Sequence, residues 1–349
     1  MLFPAEEGIL TDNKTWYVTR LCFFTAGLLV NLVLLIVLVR FRKPNEPLLI
    51  SGIVQTVLDL ITCLVCIVDA SEYRTHPSFP VYGYLICHLV ASHALLWGLI
   101  GARMNTIMLT AMFYYVQFLY PFMRIEKRGK SVLIILLIII PLSILLEGVS
   151  NYYWAEFDWE KGSCHLIRMM KDHVAQRAQI TLHLTALFNF LYNFFLPMVF
   201  SVQAYQQVLR TIRMRSKNKI ASAYNEVRLN SLEDVWLVLA FSGVAEVNKL
   251  LSQYPNSRNL GGGQSFRTIV IFLMCLYSVI YPCISAVTRR RYKRPILDCW
   301  AHIGRSTLDS QLAGKVTTPN VPDRRRMVGR TSGHKSRTRD TSSTRSQLF

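Results

Sequence analysis

The chain has 349 residues, of which 52% are apolar and only 17% charged, with a formal net charge of +18. So little charge on so apolar a chain excludes an ordinary soluble domain, in which about a quarter of residues are charged. Nucleic-acid binding is excluded as well. Arg and Lys gather in short segments and beyond Trp300, as they do in a membrane protein whose loops and tail face anionic lipid.

Residues 1–16 read as a short extracellular segment. Glu6, Glu7 and Asp12 lie where a cleavable signal peptide would need a basic start and an apolar core. The first span must therefore act as its own targeting signal. A helix needs about 20 apolar residues to cross the hydrocarbon core. Six segments meet that length: Tyr17–Val39, Leu48–Val68, Leu85–Tyr120, Ser131–Val149, Ile180–Val208 and Thr268–Thr288. A seventh, Asp234–Tyr254, is weaker because its apolar run Val235–Ala245 gives way to Glu246, Asn248 and Lys249. Parity requires it to span, since the flanking charges give the segments before and after it the same direction. The expected fold is an all-α seven-transmembrane helix bundle over residues 17–300. Residues 301–349 form a basic Ser/Thr/Arg-rich tail too poor in apolar residues to pack.

Basic residues near helix ends set orientation. Arg40, Arg42 and Lys43 follow the first span, and Arg124, Lys127, Arg128 and Lys130 the third. Arg210, Arg213, Arg215, Lys217 and Lys219 close the fifth, and Arg289, Arg290, Arg291, Lys293 and Arg294 the seventh. In a seven-span chain these all share one side, which puts the amino terminus outside and the carboxyl terminus inside. Asn13, in the sequon Asn13-Lys14-Thr15, is then an exterior glycosylation site. Cys87 and Cys164 are the two cysteines in exterior positions, where an oxidising medium favours a disulfide. Cys299, beyond the seventh span among basic residues, is a palmitoylation candidate.

Several motifs, in order along the spans, resemble those of the rhodopsin-like G-protein-coupled receptors. Gly27 to Asn31 is like the asparagine motif of the first helix, and Asp59 follows 28 positions later in the second. Tyr114 and Tyr115, with Pro121 beyond them, are similar to the Asp-Arg-Tyr motif; Pro197 and Tyr205 keep the fifth-helix spacing; Tyr281 and Pro282 resemble Asn-Pro-x-x-Tyr. The resemblance runs from about Tyr17 to Trp300, and the Cys87–Cys164 pair sits where the family's disulfide does. It implies a plasma-membrane receptor that carries an extracellular ligand's signal to a heterotrimeric G protein. Tail phosphates at Thr341, Ser342, Ser343 and Thr344 would then recruit arrestin. The chain departs from the family at Phe113 and Tyr114, which replace the acid and the arginine, and at Tyr281 and Ser285. The sixth span carries Val244, Ala245 and Val247 in place of Cys-Trp-x-Pro.

Ionisable groups inside a bilayer face a partner or a cavity. Asp59 and Arg103 both lie mid-span, and Arg103 falls where similar receptors carry a small polar residue beside a sodium ion. The two are expected to pair, with Arg103 replacing the ion. Glu246 and Lys249, three positions apart, are expected to pair on one helix face. Together with Asn248, His93, Trp97, His183 and Phe190 they are expected to line a polar, ligand-sized pocket. No cofactor or metal is implied, and no nucleophile–base set supports an enzyme. The alternatives are a multi-pass transporter or channel, or a seven-helix receptor that no longer couples to G proteins.

Overall fold

The computed structural model of the chain describes residues 14–40, 47–70, 80–120, 129–152, 155–158, 163–166, 173–215, 221–252 and 264–289, with Lys293, Ile296 and Leu297. The chain divides into two units, Met1–His302 and Ile303–Phe349, of which the second lies outside the described residues. The expected sites Asn13 and Cys299 and the tail threonines and serines also lie outside them, as does the Cys164 side chain.

The described residues are almost entirely helical. Helices α1 (Lys14–Arg40), α2 (Pro47–Ala70), α3 (Pro80–Ile86), α4 (Ala94–Leu119) and α5 (Gly129–Tyr152) come first. A two-stranded antiparallel hairpin follows, β1 (Ala155–Asp158) with β2 (Ser163–Leu166), an element absent from the all-α expectation. Its register sets Phe157 opposite Cys164, and the Phe157 ring meets Tyr84 of α3 edge-on at 6.4 Å. Helices α6 (His173–Phe190) and α7 (Leu196–Arg215) are joined without a break by a π turn at Leu191–Phe195. Pro197 accounts for that turn: it has no N–H to return to the carbonyl one turn back, and the wider turn absorbs the mismatch. Helices α8 (Ala221–Ser231) and α9 (Val244–Ser252) are joined likewise through π turns at Leu232–Leu237 and Leu239–Gly243. Helix α10 (Gln264–Thr288) closes the bundle.

Six helical segments are long and apolar enough to cross a membrane: Trp16–Arg40, Pro47–Ala70, Ala94–Leu119, Lys130–Gly148, His183–Met214 and Ile269–Thr288. The stretch Ala221–Ser252 has the length and not the apolarity, because Glu233, Asp234, Glu246 and Lys249 interrupt it. Position in the bundle explains how each helix is built. Only 22% of the apolar window of α5 is buried against 78% of that of α4, and Leu137, Ile138 and Leu145 stand more than 60% exposed. Water would not tolerate so continuous an apolar surface, whereas lipid requires it. Helix α4 is the central post, and glycine lets its neighbours close on it. A Cβ at Gly98 would lie 2.8 Å from the Ile144 backbone of α5, and one at Gly101 2.6 Å from Asn193.

The third expected span divides in two. Ser92 and His93 break the apolar run between Leu85 and Tyr120, and His93 takes a left-handed φ of 61°. The Ser92 hydroxyl donates to the His88 carbonyl at 2.5 Å and accepts from the Ala94 N–H at 3.2 Å, so one side chain serves backbone groups on both sides of the break. Together with the π turn at Cys87–Ala91, this interruption accommodates the long interval between Cys87 and Tyr114.

Candidate functional site

Among the described residues, three buried polar clusters lie between the end that carries the hairpin and the opposite end, where α1 and α7 finish at Arg40 and Arg215.

The cluster nearest the hairpin centres on Lys249 of α9. Its ammonium lies 2.5 Å from Glu147 Oε2 on α5 and 4.4 Å above the Trp97 ring of α4. The other Glu147 oxygen accepts from Asn193 Nδ2 at 3.3 Å, and Asn105 donates to Ser143 Oγ at 3.1 Å and to Asn193 Oδ1 at 3.4 Å. Lys249 thus makes its close ion pair with Glu147, and its charge also acts on Glu246, the expected partner. Lys249 reaches across to α5 because its long stem spans between helices, and Glu246 and Lys249 both line a small cavity. That cavity lies between α6 and α9, lined by Ala186, Phe190, Glu246, Lys249 and Leu250. The polar, ligand-sized pocket expected here is corrected too: the space between these residues is about 10 Å³, room for about one water. Trp97 and the Lys249–Glu147 bridge fill the middle. Of the other expected lining residues, Phe190 borders the cavity, His93 forms the helix break, and His183 and Asn248 are half-buried.

The middle cluster joins α1, α2, α4 and α10. Arg103 Nη2 pairs with Asp59 and donates to Ser278 Oγ, and its guanidinium lies 4.7 Å over the Tyr277 ring. Both charged side chains are 1% exposed. Asn31 ties the same layer together, its Nδ2 donating to the Gly27 and Ser278 carbonyls at 3.0 Å each. Beside it the Cys66 thiol lies 2.9 Å from Cys275 Sγ. Four helices thus meet at one ion pair, and the apolar side chains of Phe24, Leu58, Leu99, Met274 and Cys275 surround it.

The third cluster, at the opposite end from the hairpin, is the densest. Arg289, the residue after α10, extends Nε to Glu233 Oε2 at 2.6 Å and pairs through Nη2 with Asp234. Its guanidinium is 5.0 Å from the Tyr281 ring. Glu233 also accepts from Thr288 Oγ1, and from Ser285 Oγ at 3.4 Å. Asp234 accepts from Tyr205 of α7 at 2.5 Å, and the single Tyr281 hydroxyl hydrogen is shared between Asp234 at 3.1 Å and Gln55 Oε1 of α2 at 2.9 Å. Glu233 and Asp234 lie within the π turn Leu232–Leu237. The wider turn brings successive side chains nearer in direction, so two neighbouring carboxylates face one guanidinium. Next to this cluster Asn230 donates to Tyr114 Oη at 2.8 Å, and the Tyr114 and Tyr205 rings are 6.1 Å apart. Tyr115, by contrast, stands beside Tyr120 at the periphery of the bundle, with ring centroids 6.3 Å apart.

Of the expected residues, the structure brings Asp59, Arg103 and Asn31 into one cluster and Tyr114, Tyr205 and Tyr281 into another. Pro197 and Pro282 are buried in helix interiors. Cys87 is buried and is not among the free thiols, Cys22, Cys63, Cys66, Cys275 and Cys283. Sequence reasoning missed Glu147, Glu233, Asn193 and Gln55, and it read Arg289 only as a topological charge. Glu147 carried a usable signal, being an acid inside an expected span. The fold and its clusters define a helical, multi-pass membrane protein. In comparisons with known proteins, no family model and no curated protein matches the chain.

Proposed function

We propose that the chain is a seven-helix plasma-membrane receptor, a divergent relative of the rhodopsin-like G-protein-coupled receptors. In this reading Ala221–Ser252 is the sixth span, the amino terminus and hairpin face outside, and the Arg289 cluster faces the cytoplasm. Ligand enters at the hairpin end, and a heterotrimeric G protein binds at the other. The Cys87–Cys164 disulfide pins the hairpin to the third helix, Asn13 carries glycan, Cys299 carries palmitate, and the phosphorylated tail binds arrestin.

The observation that carries the reading is the Arg289 cluster. It ties α2, α7, the π turn that follows α8 and the end of α10 together at the place where a receptor must open. The family's arginine is absent at Tyr114, yet the helix-to-helix tie it would make is present in another form: Tyr114 accepts from Asn230 on α8, and the positive charge comes from Arg289. A ligand that favours the arrangement without these contacts shifts the population toward it, and the ends of α7 and α8 separate. Nucleotide exchange on a panel of purified G proteins, with the chain in nanodiscs, tests this. Exchange above the empty-disc level that rises further in Arg289→Gln supports it. Silence across the panel in both forms overturns coupling.

A further inference from the structure

We infer that Cys66 of α2 and Cys275 of α10 form an oxidisable thiol pair, which a small neutral peroxide closes to a disulfide joining the two helices. The inference concerns the chain's own covalent chemistry and stands whether or not the chain is a receptor.

Both thiols are buried, and their sulfurs stand 2.9 Å apart although 209 positions separate them in the chain. The layer beside them holds α2 and α10 in that register. Asn31 donates to the Ser278 carbonyl, and Arg103 joins Asp59 of α2 to the Ser278 hydroxyl of α10. Ser278 is three positions beyond Cys275, so this tie acts within one turn of the sulfur. A disulfide bond is about 2.05 Å long, and closure needs the sulfurs to approach by less than about 1 Å. The same distance argues against a bridging metal, because thiolates at about 2.3 Å around a tetrahedral ion stand further apart than these sulfurs do. Cys63, three positions before Cys66, lies in the same layer and accepts from Asn31 Nδ2 at 3.9 Å, which makes it the control for specificity.

Burial selects the oxidant. Phe24, Leu58, Leu99 and Met274 pack in the same apolar cluster as the two cysteines, which excludes charged or bulky thiol reagents. Hydrogen peroxide is small and uncharged. One sulfur, as its thiolate, attacks a peroxide oxygen; the O–O bond breaks, and the departing hydroxide takes the thiol proton as water. The sulfenic acid so formed lies against the second thiol. That sulfur attacks the first, the S–O bond breaks, and hydroxide leaves with the second thiol proton as another water. Two thiols thus give up two electrons and two protons, one peroxide is reduced, and two waters form. Because the resolving thiol is already in contact, the sulfenic acid closes to the disulfide before it takes up further oxygen. The product ties α2 to α10 beside the Asp59–Arg103 pair, a constraint that falls mainly on the unfolded chain.

The test uses the full chain in nanodiscs, reduced with a phosphine, cleared of it and treated with hydrogen peroxide. The chain is then alkylated under denaturing conditions and digested with trypsin. Mass spectrometry is expected to find the peptides that carry Cys66 and Cys275 joined, two hydrogen masses below their sum, and to find them separate after reduction. Those peptides also contain Cys63 and Cys283, so variants assign the bond. Cys66→Ala and Cys275→Ala should lose the link, whereas Cys63→Ala and Cys283→Ala should keep it. Where an alanine variant fails to fold, fragment spectra of the wild-type link decide instead, since they place the bond at Cys66 or at Cys63. Peptides that stay separate in the peroxide-treated wild type overturn the inference. So does a link that survives in Cys66→Ala, or sulfinic acid at either cysteine in place of the link.

Discussion

Arg103 and Arg289 are both almost completely buried, and both meet acids from another helix, yet the two surroundings differ in kind. Arg103 faces one carboxylate, so its cluster is neutral. Of its guanidinium nitrogens, Nε and Nη1 have no hydrogen-bond partner among the described residues. Arg289 faces two carboxylates, which also accept from two tyrosines, a threonine and a serine, leaving one net negative charge shared over many donors. A neutral, sparsely bonded pair in the middle of the bundle holds helices together only while both partners are present. A charged, richly bonded cluster at the end of the bundle can lose a contact and persist. The first depends on both partners, and the second has donors to spare.

The largest expected effect lies in the middle. Asp59→Asn or Arg103→Gln alone leaves a buried charge without its partner, which costs about 3–5 kcal/mol in comparable buried pairs. Each single variant should lose most of its surface expression and melt far lower in detergent, while Asp59→Asn with Arg103→Gln should recover most of both. A double variant as poor as either single one would show that the pair is not a closed unit and break the comparison at its stronger side.

Arg289→Gln comes next. The lost charge-assisted bonds to Glu233 and Asp234 are worth about 1.5–3 kcal/mol each before the remaining donors compensate. The chain should still fold, because Thr288, Ser285, Tyr205 and Tyr281 continue to satisfy the acids. Basal nucleotide exchange should rise. Equal loss of expression in Arg289→Gln and Arg103→Gln would mean that both arginines are structural and that the distinction fails.

A smaller effect tests whether the middle is as rigid as the comparison requires. A methyl group added at Gly98 meets the Ile144 backbone at 2.8 Å, and backbone cannot rotate away. Gly98→Ala should therefore force α4 and α5 apart, at about 1–3 kcal/mol in melting. Gly148→Ala, with open space around it, is the control and should melt as the wild type does.

How much of this was legible in the sequence depended on how few partners were available. Asp59 and Arg103 stood out because ionisable residues are rare inside apolar spans, and a rare acid has few possible bases. The Glu246–Lys249 expectation used the same rule and chose the nearest residue in sequence. Lys249 makes its close ion pair with Glu147, more than a hundred positions away, and separation of that kind leaves no trace in one sequence. The start of the helical stretch Ala221–Ser252 was missed for a different reason. Apolarity marks where lipid begins, while the helix runs on through Ala221–Ser231 because tertiary packing of Val227 and Asn230 supports it there. The Ser92–His93 break was hidden because neither residue is a strong breaker. Only the side-chain bonds of Ser92 make the interruption affordable.

The finest test removes a single oxygen. Tyr205→Phe keeps the ring that packs against Tyr114 and deletes the hydroxyl that donates to Asp234 at 2.5 Å. Asp234 keeps Arg289 and Tyr281, so the loss should be near the ordinary value for one hydrogen bond, about 1 kcal/mol. If that bond exists only in the closed arrangement, its loss shifts the closed–open balance by roughly fivefold, and basal exchange should rise by no more than that factor. Melting should drop only slightly. A Tyr205→Phe chain with a lowered midpoint and unchanged exchange would mean that the hydroxyl is retained in both arrangements, so the opening movement would have to leave α7 and α8 joined and separate α10 from them instead.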